Sequence, residues 1–206
     1  MSHSIASVEE LEAAIGTPME IVRQKIVTRL DELMKEFIAR SPLVFVATSD
    51  ADGEIDVSPK GDPAGFVEVD GEGNLLIPER PGNQLAMGFR NVLGNGRIGL
   101  IFVVPNQRET LRVRGRASLR KDPEVLARMQ VNGKPALLFT HVEVEQCFIH
   151  CGKAMVRSKL WQPESWDSAG RSIGALQIAT LLGAKNEEEI KASSERLELA
   201  YTHTLY

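Results

Sequence analysis

The sequence predicts a mainly β domain of the α+β class, an antiparallel barrel with flanking helices. Five or six apolar or β-branched runs recur between positions 43 and 151, joined by hairpins and short helices. That order suits a closed antiparallel barrel and not a doubly wound parallel sheet. At 206 residues and 43% hydrophobic content the chain can build one core without a disulfide, so 1–206 reads as a single domain. Within it, 1–40 carries N-terminal helices, 41–166 the barrel and 167–206 a C-terminal helical extension.

Each element has its own signal. Ser7-Val-Glu-Glu10 and Thr17-Pro-Met-Glu20 are successive capping boxes, the second with Pro18 at the first helical position. In that second helix Val22, Ile26, Leu30, Leu33 and Phe37 recur as one apolar stripe, ended by Ser41-Pro42. Leu43 to Thr48 reads as a central strand. Asp50-Ala-Asp-Gly53 is a hairpin turn, as is Asp70-Gly-Glu-Gly-Asn74 between Phe66–Val69 and the strand Leu75–Ile77. Pro78 and Pro81 stop that strand, and Gly82-Asn83 opens a helix through Leu93.

Gly94-Asn-Gly-Arg-Ile-Gly99 fits the dinucleotide pattern Gly-x-Gly-x-x-Gly, which requires a strand before it and a helix after it. Here the order is reversed, so Gly94 reads as a helix C-cap and Asn95-Gly96 as a turn into a strand from Ile98 to Val104. Thr110–Leu119 is the next strand, Asp122 caps a short helix to Met129, and Val142–Cys151 is the last strand. Ser172–Leu182 and a segment from Asn186 to about Tyr201 are C-terminal helices, the latter capped by Asn186 with Glu189 three residues on.

Charge and composition exclude several classes. With 24 basic and 28 acidic residues the net charge is −4, which gives no global attraction to nucleic acid or anionic membrane. Aromatics make up only 5%, too few to interleave with the basic strand as a nucleic-acid platform would need. No apolar run approaches the ~20 residues of a membrane span, and Met1-Ser-His-Ser lacks the regions of a signal peptide. The expectation is a cytoplasmic protein with two reduced cysteines. Cys147 and Cys151 share a strand face about 13 Å apart, too far for a disulfide, and read as core residues. His150 and Cys151 point to opposite faces, so no metal site is expected. There is no nucleophile elbow for a hydrolase.

The chemistry concentrates elsewhere. Leu75-Leu-Ile-Pro-Glu-Arg-Pro-Gly-Asn-Gln84 passes from an apolar strand through a stiff arginine-containing turn toward a helix start, an arrangement suited to a phosphate. Val57-Ser-Pro-Lys-Gly-Asp62 precedes it, and Thr110-Leu-Arg-Val-Arg-Gly115 follows, with Thr110, Arg112 and Arg114 alternating onto one face.

In this order the three motifs resemble the flavin mononucleotide-binding split barrels related to pyridoxamine 5'-phosphate oxidase. Cys151-Gly-Lys-Ala-Met-Val-Arg-Ser-Lys-Leu-Trp161 resembles the signature of an uncharacterised branch of that superfamily. The resemblance spans roughly Ser41 to Trp166 and implies a Greek-key split β-barrel that binds FMN. It also implies a homodimer with FMN sites at the subunit interface. By it, Lys60, Arg80 and Asn83 hold the phosphate, and Ser58, Gly61 and Asp62 line the ribityl chain and ring edge. The backbone of Ile77, Pro78 and Glu79 passes the isoalloxazine, and Thr110 and Arg112 reach the partner's flavin. Arg157, Ser158 and Trp161 form a closing element in which the indole covers the ring.

Where the oxidase has an Arg-Lys pair at the helix start, this chain has Gly82-Asn83-Gln84, and the oxidase's C-terminal substrate-binding Arg and His pattern is missing. Vitamin-B6 oxidation is therefore not expected. A flavin-dependent oxidoreductase of a small molecule, a noncatalytic flavin-binding or sensing module and a deazaflavin-binding relative remain open. No side chain stands out as a general acid or base.

Overall fold

The computed structural model describes residues 4–166, 172–184 and 186–203. Its centre is one antiparallel sheet of seven strands: β1 (Leu43–Ser49), β2 (Ile55–Gly61), β3 (Glu68–Val69), β4 (Leu75–Glu79), β5 (Arg97–Val103), β6 (Thr110–Arg120) and β7 (Leu138–His150). They are ordered β2-β1-β5-β6-β7-β4-β3. The ladder does not close, because β2 and β3 remain edges. The seam is spanned by side chains, since Lys60 on β2 reaches Glu79 on β4 and Asp62 just beyond β2 reaches Arg80 just beyond β4. This is the α+β split barrel that the sequence predicts, without the full closure.

Alternation along the strands builds the core. Val44 and Val46 of β1, Ile98, Leu100 and Phe102 of β5, Leu111 and Val113 of β6 and Val142 of β7 all turn inward. Between Arg114 and Gly115 the β6–β7 register shifts at a bulge. A Cβ at Gly115 would collide with the carbonyl oxygen of Glu143, so only glycine fits there.

The N-terminal region departs from the expected helices. Ser7 caps α1 (Val8–Ile15), its hydroxyl accepting from the Glu10 N–H at 3.1 Å. The Thr17 box does not form: α2 (Glu20–Gln24) starts after Met19, with no side-chain cap. The stripe from Val22 to Phe37 is not one helix. Val27 pairs with Cys147, its N–H donating at 3.0 Å and its carbonyl accepting at 2.8 Å. The reason is that β4 covers only Leu138–Val142 of the long β7, which leaves backbone groups at Cys147 to be satisfied by another segment. A new helix, α3 (Glu32–Ala39), then starts at Asp31, whose carboxylate accepts from the Met34 N–H at 2.8 Å. Leu30, Met34 and Ile38 enter the core, whereas Leu33 is exposed.

Two further corrections concern the segments around the site. Pro78 does not stop β4, which runs to Glu79 with Pro78 opposite Phe139. The short β3 pairs only with Leu75 and Leu76, so at Pro78 the side away from β7 has no ladder to break. Helix α4 (Met87–Asn95) starts at Met87 and not at Gly82-Asn83, and its C-cap is Gly96 at φ 68°, two residues past the expected Gly94.

After β6, Asp122 caps α5 (Pro123–Arg128) as expected. Beyond β7 come α6 (Lys153–Arg157), a 3-10 turn (Pro163–Ser165), α7 (Ile173–Leu181) and α8 (Glu187–His203). The Ser172 and Asn186 side chains accept from the Ala175 and Glu189 N–H groups and cap the last two helices, the second as expected. Among the described residues no helix is long and apolar enough to cross a membrane.

Candidate functional site

Period-two alternation on the edge strand β2 sends Asp56, Ser58 and Lys60 inward and Val57, Pro59 and Gly61 outward. Facing them across the seam are Glu79 and Arg80. The loop from Gly82 to Ala86 and the first turns of α4 form the remaining wall. Together they enclose a cavity of about 450 Å³, within the range of cofactor pockets. Its apolar lining comes from Val46, Met87, Phe89, Val92, Ile98 and Leu137.

The charged groups are tightly engaged. Lys60 Nζ donates to Glu79 Oε2 at 2.6 Å and lies 4.4 Å from the centre of the Phe89 ring. Glu79 is 3% exposed, and its Oε1 accepts from the Thr140 hydroxyl at 2.7 Å. Burial pushes the Glu79 carboxyl above the usual glutamate range, opposed by the Lys60 charge and by the hydrogen bonds from Lys60 and Thr140. Arg80 donates from Nε to Asp62 at 2.7 Å and from Nη2 to the Met129 carbonyl at 2.7 Å.

The structure gathers Ser58, Lys60, Glu79, Arg80 and Asn83 around this one cavity. The other expected site residues lie outside it. Gly61 faces away from Ser58 and Lys60, and Asp62 acts through Arg80. Ile77 and Pro78 are buried in β4. Asn83 lines the cavity, but its Oδ1 accepts from the Leu85 N–H, an Asx turn, so it does not open a helix. The helix end expected to present amides at Gly82-Asn83 is absent there. Instead Gln84 and Ala86 take left-handed φ angles of 62° and 53°, conformations that side chains adopt at a cost.

Thr110 is buried opposite His150. Arg112 lies on the outer face of the sheet, away from the cavity, 5.4 Å from the Phe148 ring, in a groove of about 310 Å³ with Phe45, Val57 and Ile101. Arg157 and Ser158 are exposed, and the Trp161 indole donates to the Gln107 carbonyl at 2.7 Å. Within one chain none of these five lines the cavity. Cys147 is buried, with burial and then the Asp31 charge pushing its thiol up to about 11. Cys151 is exposed and is not a core residue.

Sequence reasoning assigned Glu79 only a backbone role and missed Thr140, Phe89 and Asp56. The alternation Asp56-x-Ser58-x-Lys60 carried the signal for Asp56. Thr140 had none, because β7 starts at Leu138, four residues before the expected Val142.

An open antiparallel sheet curled around a cation-bearing cavity at its seam defines a split-barrel fold. A family model described as pyridoxamine 5'-phosphate oxidase matches residues 30–151, more than half of the chain, and the protein belongs to that family. No curated protein matches it. Solved structures resemble it at low identity. One is a candidate pyridoxamine 5'-phosphate oxidase from Lactobacillus delbrueckii (21% identity, TM-score 0.47, 59% of this chain and 95% of that one). Another is an F420 reductase (19%, 0.43, 57% and 98%). A third is HutZ, the heme storage protein from Vibrio cholerae (18%, 0.40, 59% and 94%). The three are named for different chemistries, and at these similarities none transfers to this chain.

Proposed function

We propose that the protein binds FMN in the seam cavity and acts as a flavin-dependent oxidoreductase on a small molecule, as a cytoplasmic homodimer with FMN sites at the subunit interface. The observation that carries this reading is the convergence of Lys60, Arg80 and Asn83 with an apolar wall around one 450 Å³ space. Cationic donors suit a phosphate, and Phe89, Leu137 and Val46 suit a planar ring. Lys60 has three N–H donors, more than the single Glu79 contact uses, so its chemistry fits a phosphate as well.

In this reading Lys60 and Arg80 hold the phosphate, Asn83 orders the loop over it, and Ser58 lies along the ribityl chain. Thr110, Arg112, Arg157, Ser158 and Trp161, outside the cavity of their own chain, serve the site of the partner. Bound FMN supplies hydride or two-electron chemistry, while the protein supplies orientation and electrostatics. The test is an absorbance scan of freshly purified protein with mass spectrometry of whatever heat releases. Near-ultraviolet and blue bands with released FMN support the reading. A colourless protein that also ignores added FMN overturns it, and a released deazaflavin or heme redirects it.

A further inference from the structure

The Glu79 carboxylate lines the cavity without a role in holding FMN. Glu79 is 3% exposed, and a carboxylate so buried stays ionised only with a cation and hydrogen bonds beside it. Its cation is Lys60 at 2.6 Å, the same ammonium that a phosphate would engage. The cavity has few alternatives. Its charged lining groups are Asp56 and Lys60 from β2, Glu79 from β4 and Arg80 beyond it. The other elements packed there supply Thr48 from β1, Phe89 from α4 and Thr140 from β7, none of which carries charge. Arg80 is directed to Asp62 and the Met129 carbonyl, and Asp56 only adds negative charge.

We propose that Glu79 is a proton-binding site linked to occupancy of the cavity. Lys60 keeps it ionised in the free protein, and a phosphate monoester that draws Lys60 away leaves Glu79 to take one proton from solvent. The inference rests on the cavity being the FMN site. The bound proton sits on a Glu79 oxygen, turning an acceptor into a donor that faces the ligand. Because the complex holds one proton more than the free protein, affinity rises as pH falls. Between the free and bound pKa values of Glu79, Kd increases up to about tenfold per pH unit.

The test is titration calorimetry of the full chain at pH 7.5 with FMN and with riboflavin, in buffers of different ionisation enthalpy, repeated with Glu79→Gln. The FMN phosphate, with a second pKa of about 6, is then mostly dianionic and contributes equally to both proteins. FMN binding to wild type should take up as much as one proton more than binding to Glu79→Gln, and riboflavin should show no such difference. Equal uptake by the two proteins overturns the role of Glu79 and leaves FMN binding intact. Should the variant fail to fold, wild-type uptake with FMN no greater than with riboflavin overturns it equally. If neither flavin binds wild type, the FMN reading itself falls and the inference with it.

Discussion

Lys60 and Glu79 stand nineteen residues apart and Asp62 and Arg80 eighteen, yet both pairs close at 2.6–2.7 Å across the seam of the sheet. These are not surface pairs of small worth, since the Glu79 and Asp62 side chains are 4% and 1% exposed. Removing one partner of such a pair strands a buried charge. Arg80→Ala should therefore weaken FMN binding by about 2–4 kcal/mol through the lost phosphate contact, measured by fluorescence titration. Wild-type affinity in that variant would refute the phosphate role. Because the change also strands Asp62, a melting curve must show the variant folded at the titration temperature.

Glu79 gives a pH signature of its own. Its carboxyl is raised above the ordinary value of 4.5 by burial, so the folded state binds its proton more tightly than the unfolded chain. A raised carboxyl contributes stability that is fully present below 4.5 and is lost as pH rises through the folded value. Glutamine does not titrate, so the stability of Glu79→Gln relative to wild type should improve as pH rises from 4.5. Urea denaturation across a pH series reads this, and a difference independent of pH would contradict it.

At the scale of elements, strands β6 and β7 are the spine, paired from Thr110 opposite His150 to Arg120 opposite Phe139. Their register shifts at the Gly115 bulge. Gly115→Ala brings a Cβ into the Glu143 carbonyl, a backbone atom that cannot swing aside as a side chain could. The expected loss is about 1–3 kcal/mol or more, seen as a lower urea midpoint. An unchanged midpoint would show that the strand pair can shift freely. The same spine explains the broken N-terminal helix, since β7 outruns β4 and takes Val27 as a short substitute partner. The sequence pattern carries one helix through Asp31, because nothing local announces that the helix before it must end so that Val27 can pair.

For the whole molecule, the outer sheet face leaves Phe45, Val57 and Ile101 at least 38% exposed, with Arg112 over Phe148 among them. Under the proposed dimer this face, or the segment holding Trp161, meets a second copy. Light scattering should then give twice the 22.7 kDa chain mass, and a monomer at micromolar concentration would remove the basis for a shared flavin site.

The local part of the fold is encoded in short-range periodicity. The apolar run Leu43–Thr48, the alternation along Thr110–Arg114, the Asp50 and Asp70 turns and the Ser7, Asp122 and Asn186 caps are all local hydrogen-bond and burial patterns. The Ser-Pro-Lys and Arg-Pro-Gly-Asn motifs lead to the cavity through their own local structure, Lys60 on β2 and Arg80 just beyond β4. Only the tertiary structure decided where the strands end, because Pro78 is tolerated through the shortness of β3 and Val27 is recruited through the length of β7. It alone decided that Lys60 meets Glu79. A contact across the open seam depends on the curl of seven strands, and sheet curvature is a sum over the fold that no window of sequence contains.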